Sequence, residues 1–137
     1  MKSKKREYLS SATLIILGNN FDPKYISRLL DLKPDQMWMR DEVKMIGEKL
    51  KHVYKDSGWK KYISKKYLNK YLEPQLEYWC KLLIAKSKAI KKLSKDGNRI
   101  VLNCFIGTDS TATININSEL LEKLAALKIG IEFDIFK

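Results

Sequence analysis

This 137-residue chain has few of the residues on which membrane insertion, metal binding or phosphate binding depends. No apolar run approaches the roughly 20 residues of a membrane-spanning helix, so we expect no contact with a membrane. One histidine, His52, and two cysteines without CxxC spacing, Cys80 and Cys104, cannot form a usual zinc ligand set. The six glycines stand singly, which excludes a glycine-rich phosphate loop. We therefore expect no metal and no cofactor, and the sequence identifies no small-molecule substrate.

The single histidine also leaves little for catalysis. No serine or cysteine stands beside His52 at a spacing that indicates a nucleophile and its base. A nucleophile that folding brings close to His52 is an alternative that the sequence leaves open. The sequence therefore predicts a protein that is not an enzyme. Two lone cysteines are typical of buried free thiols in a reducing compartment, and the basic start Met1–Arg6 lacks the apolar stretch of a signal peptide. We expect a cytoplasmic protein.

The positive charge of the chain is concentrated in its middle. The net charge is +11, and the window Lys44–Lys95 contains fifteen lysines, no arginine and four acidic residues, so it carries the whole excess. Such a segment should attract an acidic protein, a nucleic acid or another anionic surface. Lysines outnumber arginines 23 to 4. A compositional bias toward lysine explains the excess equally well.

The turn and breaker residues of the chain predict a mixture of strands and helices that do not alternate strictly. We expect a strand over Tyr8–Leu17, a helix from Pro23 that Lys33-Pro34 ends, and a hairpin with its turn at Asp56-Ser57-Gly58. The second half predicts one long helix, three further strands or strand-like segments, and a leucine-faced helix. Their bounds are Pro74–Lys95 and Ser118–Leu127 for the helices, and Arg99–Ile106, Ala112–Asn117 and Ile129–Phe136 for the strands.

These elements predict an α+β fold, with a mostly antiparallel sheet and helices packed on one face. The length suits a single domain over residues 8–137, preceded by a basic, flexible tail over residues 1–7. The strand that ends near Leu17 and the strand Ile131–Phe136 should belong to one sheet, covered by the helices that begin at Pro23 and Ser118. The oligomeric state is left open.

A series of spaced residues resembles a known family. It runs from Asn20-Phe21-Asp22-Pro23 through Leu32-Lys33-Pro34 and Gly58-Trp59 to Ile131–Phe136. In this order the chain is similar to the bacterial domain of unknown function family numbered 4279, from about Ala12 to Phe136. The resemblance implies a small α+β protein, with no catalytic residues to transfer. It also implies a setting like that of immunity and anti-defence proteins of bacteria and phages, which bind and block one partner. The lysine-rich segment Ser64–Leu72 departs from the family pattern.

Aromatic residues interleaved with lysines form the strongest local feature. Aromatic rings stack bases or anchor protein interfaces, and ammonium groups meet phosphates or carboxylates. The candidate partner-binding residues are Trp59, Lys60, Lys61, Tyr62, Lys65, Lys66, Tyr67, Lys70 and Tyr71. A basic stripe on the long helix would add Lys81, Lys88, Lys92 and Lys95. For the tyrosines at 62, 67 and 71, core and interface positions are equally compatible with the pattern.

The absence of arginine from this window disfavours sequence-specific reading of nucleic acid. We therefore expect a non-enzymatic protein that binds and blocks or modulates one acidic protein partner. The alternative is a nonspecific nucleic-acid-binding protein that uses the same lysine and aromatic surface.

Overall fold

A computed structural model describes residues 8–137, and the expected tail over residues 1–7 lies outside the described residues. The strands and helices are, in chain order, β1 (Leu9–Gly18), α1 (Pro23–Leu30), β2 (Gln36–Trp38), β3 (Val43–Ile46), β4 (Leu50–Val53), β5 (Ser57–Lys61), α2 (Leu72–Ala85), α3 (Ser87–Lys95), β6 (Arg99–Gly107), α4 (Ser118–Ala126) and β7 (Ile129–Phe136).

Five of the strands form one sheet in the order β2-β5-β1-β6-β7. Every neighbouring pair is antiparallel except β6 and β7. These two run parallel because α4 returns the chain to the end of the sheet at which β6 begins. β3 and β4 form a separate two-stranded sheet. The predicted α+β class is confirmed, and β1 and β7 belong to one sheet, with β6 between them.

The core lies between the sheet and a single layer of helices. Side chains of β1 alternate between buried and partly exposed, with Ala12, Leu14 and Ile16 facing the helices. Each helix contacts a different strand: α1 contacts β5, α2 contacts β1, α3 contacts β6 and α4 contacts β7. The largest fully buried side chains include Trp59, Trp79, Leu30, Leu72, Leu76, Leu83, Ile90 and Leu93.

The helix ends follow the capping residues of the sequence. The Asp22 side chain accepts a hydrogen bond from the Lys24 N–H, Pro23 occupies the first turn of α1, and Asp31 ends α1 in the left-handed region at φ 53°. Asn117 caps α4 by accepting from the Leu120 N–H at 2.8 Å. Asp22 and Asn117 therefore determine where α1 and α4 begin, and Asp31 determines where α1 ends.

Side chains of helix α2 form hydrogen bonds with the backbone of β1 beyond the point where its pairing with β5 ends. β5 pairs with β1 only from Leu14 onward, so within residues 8–137 no strand pairs with Ala12 on that side. The Gln75 side chain accepts from the Ala12 N–H at 2.7 Å, and Trp79 Nε1 donates to the Ala12 carbonyl at 2.9 Å. Gln75 Nε2 also donates to Ser10 Oγ at 3.0 Å. Two residues one helical turn apart thus substitute for a missing strand.

The predicted hairpin turn at Asp56-Ser57-Gly58 is wrong. Ser57 and Gly58 begin β5, which pairs with β1 and β2. Gly58 serves the strand because the Trp38 ring occupies the space that a Cβ atom at that position would fill. The hairpin that does form joins β3 and β4, and its turn contains Gly47 at φ 71°.

Two further predictions are corrected in the second half of the chain. The single helix Pro74–Lys95 is two helices that meet at Lys86, whose φ of −114° leaves the helical region. Apolar periodicity continues across the break because Leu83 and Ile90 both face the core. Residues 112–117 alternate as predicted, with Ile114 and Ile116 packed on the core, but the segment is not a strand.

Among residues 8–137, no helix has the length and apolar character that crossing a membrane requires.

Candidate protein-binding surface

Trp59 belongs to the core and not to the surface. Its side chain is fully buried, and Nε1 donates to Ser27 Oγ on α1 at 2.9 Å. The expectation that Trp59 contacts a partner is therefore corrected, because its fully buried indole lies in the core against α1.

The residues that follow Trp59 line the end of β5. Lys60 Nζ lies 5.9 Å from the centre of the Trp38 ring, and Lys61 Nζ donates to the Lys33 carbonyl at 2.8 Å. Tyr62 has an exposed ring, and its N–H donates to Asp35 Oδ2 at 2.8 Å. These contacts hold Lys60 and Lys61 close to the protein, whereas the ring of Tyr62 is open to a partner.

The segment 64–71 presents mostly charge. Lys65, Lys66 and Lys70 are exposed. Tyr67 is half-buried against Tyr78, with ring centres 4.9 Å apart, and Lys66 Nζ lies 5.3 Å from its ring centre. Tyr71 is exposed beside the buried Tyr8. Of the three tyrosines for which core and interface positions were both open, Tyr67 packs on the core, and Tyr62 and Tyr71 are exposed.

The predicted basic stripe is divided by the break at Lys86. Lys81 lies on α2, and Lys88, Lys92 and Lys95 lie on α3. All four side chains are exposed, and Lys92 pairs with Asp96 at 3.6 Å. The structure thus corrects the single-helix stripe, because helical spacing aligns side chains only within one continuous helix.

An exposed apolar surface that was not predicted from the sequence lies on the β3–β4 hairpin. We name residues 43–53 the arm. Its strands pair Val43 with Val53 and Ile46 with Leu50. Five large apolar side chains of the arm are between 49% and 66% exposed, and they are Val43, Met45, Ile46, Leu50 and Val53. A two-stranded hairpin has no third layer to cover both of its faces, so these side chains remain in water.

Aromatic contacts fix the base of the arm. The rings of Trp38 and Tyr54 stack with centres 5.3 Å apart, and the rings of His52 and Tyr54 are nearly perpendicular with centres 4.8 Å apart. The backbone continues the hairpin to this point, since the Tyr54 N–H donates to the Glu42 carbonyl at 3.0 Å. The arm therefore projects from a firm base on β2 and β5.

Methionines add to the apolar surface of this region. Met37, Met39 and Met45 are exposed, and they are all of the methionines that follow Met1. Methionine adapts its shape to irregular partners and is frequent at binding surfaces. Three methionines within nine residues are the one sequence signal that could have indicated this surface.

Two clefts join the arm to the exposed tyrosine. One, of about 460 Å³, lies at the base of the arm between Trp38, Val43 and Tyr54. The other, of about 410 Å³, lies between Thr13, Tyr62 and Lys65. Asp35 lines both clefts. The base of the arm and the part of the predicted surface around Tyr62 therefore lie on either side of Asp35.

The groups with ordinary catalytic potential lie apart from one another. His52 is exposed on the arm, whereas both thiols are buried. Burial raises the pKa of the Cys104 thiol to about 12, and burial also raises the pKa of Cys80, against a smaller opposing effect of Lys123. Within residues 8–137, no three His, Cys, Asp or Glu side chains are grouped so that they could hold a metal ion.

Comparison with known proteins identifies the family. No curated protein and no solved structure matches the chain. A family model described as a domain of unknown function, DUF4279, matches residues 6–136, which include both sheets and all four helices. The resemblance seen in the sequence is confirmed, and the chain belongs to the DUF4279 family.

Proposed function

We propose that this chain is a non-catalytic protein that binds one protein partner and blocks or modulates it, as immunity and anti-defence proteins do. The exposed apolar arm is the observation that carries the proposal. Water-exposed apolar side chains gathered on one projecting element are typical of interaction sites. In this proposal, the arm enters the partner's surface and the cleft around Tyr62 makes a second contact.

Burial of the arm provides the driving force. Each large apolar side chain that passes from water into an interface contributes roughly 1.5–3 kcal/mol when burial is complete. Because the five arm side chains are only about half covered in the free chain, a partner gains part of that free energy from each. Natural proteins usually protect exposed edge strands with charged residues, proline or a covering element. The strands of the arm have apolar side chains at these exposed positions instead.

Charge around this face selects the partner. Lys44, Lys49 and Lys51 on the arm outnumber its one acid, Glu48. Lys65, Lys66 and Lys70 extend the positive surface next to Tyr62. An acidic partner is steered to such a surface and bound faster at low salt. We therefore propose an acidic protein whose negative residues surround an apolar recess.

Free, buried thiols are compatible with a reducing compartment, and we propose that the protein works in the cytoplasm.

Affinity capture with the full chain tests the proposal. Tagged wild-type chain is compared with a Met45→Ser/Leu50→Ser variant, and Ile84→Ser serves as the control because Ile84 is 40% exposed on α2, away from the arm. The expected result is one protein in stoichiometric amount at moderate salt, lost with the arm variant and retained with the control. A partner captured equally by all three chains contradicts the proposal. Heterogeneous nucleic acid released by modest salt supports the alternative function and also contradicts it.

A further inference from the structure

Strand β7 forms an open edge of the sheet. Its eight residues pair with β6 on one side, and within residues 8–137 no strand pairs with the other side. The Phe136 carbonyl accepts from the Thr108 N–H at the end of β6. Because backbone groups alternate sides along a strand, the N–H and C=O groups of Ile131, Phe133 and Ile135 point to the open edge. They can bond to an added strand.

The two faces of β7 differ in chemistry. On the helix face, Phe133 is 43% and Ile135 is 67% exposed, since α4 covers only the beginning of the strand. The opposite face presents Glu132 and Asp134, and β7 contains no basic residue. Asn103 Nδ2 donates to Glu132 Oε1 at 2.7 Å and to Asp134 Oδ2 at 2.9 Å. Arg99 on β6 also pairs with Glu132 Oε2 at 3.5 Å. Two carboxylates held by side chains of β6 therefore mark this edge in a chain of net charge +11.

We propose that β7 accepts a strand from a second protein in which apolar and basic residues alternate. The apolar side chains would pack beside Phe133 and Ile135, and the basic ones would lie across from Glu132 and Asp134. Backbone hydrogen bonds supply affinity in strand addition, and the alternating side chains supply specificity. The edge thus offers such a strand open backbone groups, exposed apolar side chains on one face and carboxylates on the other.

Pairing of β7 with a second copy of this chain is disfavoured by charge. Antiparallel self-pairing centred on Glu132, Phe133 or Asp134 places carboxylates opposite carboxylates on the same face. Like charges directly opposite in a sheet are destabilising. A basic strand reverses this effect, which is why we assign the edge to a different protein.

This site is independent of the arm. The arm follows β2, at one edge of the sheet, and β7 is the other edge. A variant in one surface therefore leaves the other intact, and failure of either proposal can be recognised separately.

Two synthetic nine-residue peptides test the inference against the full chain. One alternates lysine and valine, and the other alternates glutamate and valine. Binding is measured by titration calorimetry and by amide chemical shifts. The lysine peptide should bind with shifts concentrated in Ile129–Phe136 although the chain as a whole repels it, and the glutamate peptide should not bind. Asp134→Asn should weaken binding, and the arm variant Leu50→Ser should bind as wild type does.

Backbone bonding is tested at Ile135. Ile135→Pro removes an outward N–H at an edge position where proline is tolerated. It should lower the affinity for the lysine peptide by about tenfold or more relative to Ile135→Val. If Ile135→Pro fails to fold by circular dichroism, Asp134→Lys replaces it and should abolish the preference for the lysine peptide. Absence of binding, equal binding of both peptides, shifts outside β7 or a dimer formed through β7 would each overturn the inference.

Discussion

The indole of Trp38 lies against the backbone of Gly58, so that the ring replaces the side chain that this strand position lacks. Trp38 ends β2, and its ring also stacks on Tyr54 at the base of the arm. This relationship connects the edge of the main sheet to the arm. Any side chain at position 58 must displace the ring and with it the base of the arm.

Gly58→Ala should therefore destabilise the protein. Overpacking of a closed contact costs about 1–3 kcal/mol, and urea unfolding measures the loss. Gly107→Ala is the matched control, because a Cβ atom there meets nothing closer than 3.5 Å. Equal stability of the Gly58 variant and wild type would show that Trp38 is not held as described.

Gln75→Ala should also destabilise the chain, because it leaves the Ala12 N–H without a partner inside the core. A buried donor left unsatisfied costs roughly 1–3 kcal/mol. Gln36→Ala, at an exposed position on β2, should change the free energy of unfolding by no more than about 0.5 kcal/mol. A Gln75 variant as stable as the Gln36 variant would contradict this role.

Stability should decline in alkaline solution because of Cys104. Its pKa is raised by burial from 9.0 to about 12, so the folded state holds a proton that the unfolded state releases. The contribution of Cys104 to stability is complete below about pH 9 and is lost as the pH rises toward 12. Urea unfolding at several pH values should show a steeper decline for wild type than for Cys104→Ala. Parallel declines would disprove the assignment.

An exposed aromatic ring should matter more to partner binding than a neighbouring charge. Tyr62→Ala is expected to raise the dissociation constant more than Lys65→Ala, since truncated interface aromatics lose the most free energy and rim lysines mainly affect association rate. Tyr67 is unsuitable for this comparison because it packs on Tyr78. Surface plasmon resonance at two salt concentrations measures both effects. The opposite order, with a steep salt dependence, would favour the nucleic-acid alternative.

The sequence predicted those elements whose signals are local. Pro23 identified the start of α1, apolar and β-branched composition identified β1 and β6, and alternation identified β7. The hairpin prediction failed because Ser57-Gly58 has the composition of a turn, and only the distant Trp38 makes that glycine fit a strand. The helix break at Lys86 was not predicted because no glycine or proline stands beside it in the sequence.

The candidate surface was predicted less well than the fold. The aromatic and lysine pattern combined the buried Trp59 with the exposed Tyr62, because local sequence does not determine which face of β5 is covered. The arm was missed for a related reason. Apolar residues such as Ile46 and Leu50 ordinarily indicate a core, but no layer of the described residues covers the hairpin, which leaves them exposed.

Hydrogen–deuterium exchange of the chain, alone and bound to its captured partner, tests the proposed role of the arm most directly. In the free chain, amides of the arm should exchange fast, because the hairpin is two-stranded and exposed. In the complex, residues 43–53 should show the largest slowing, with residues 62–71 next. Slowing confined to other elements, with exchange in the arm unchanged, would contradict the account.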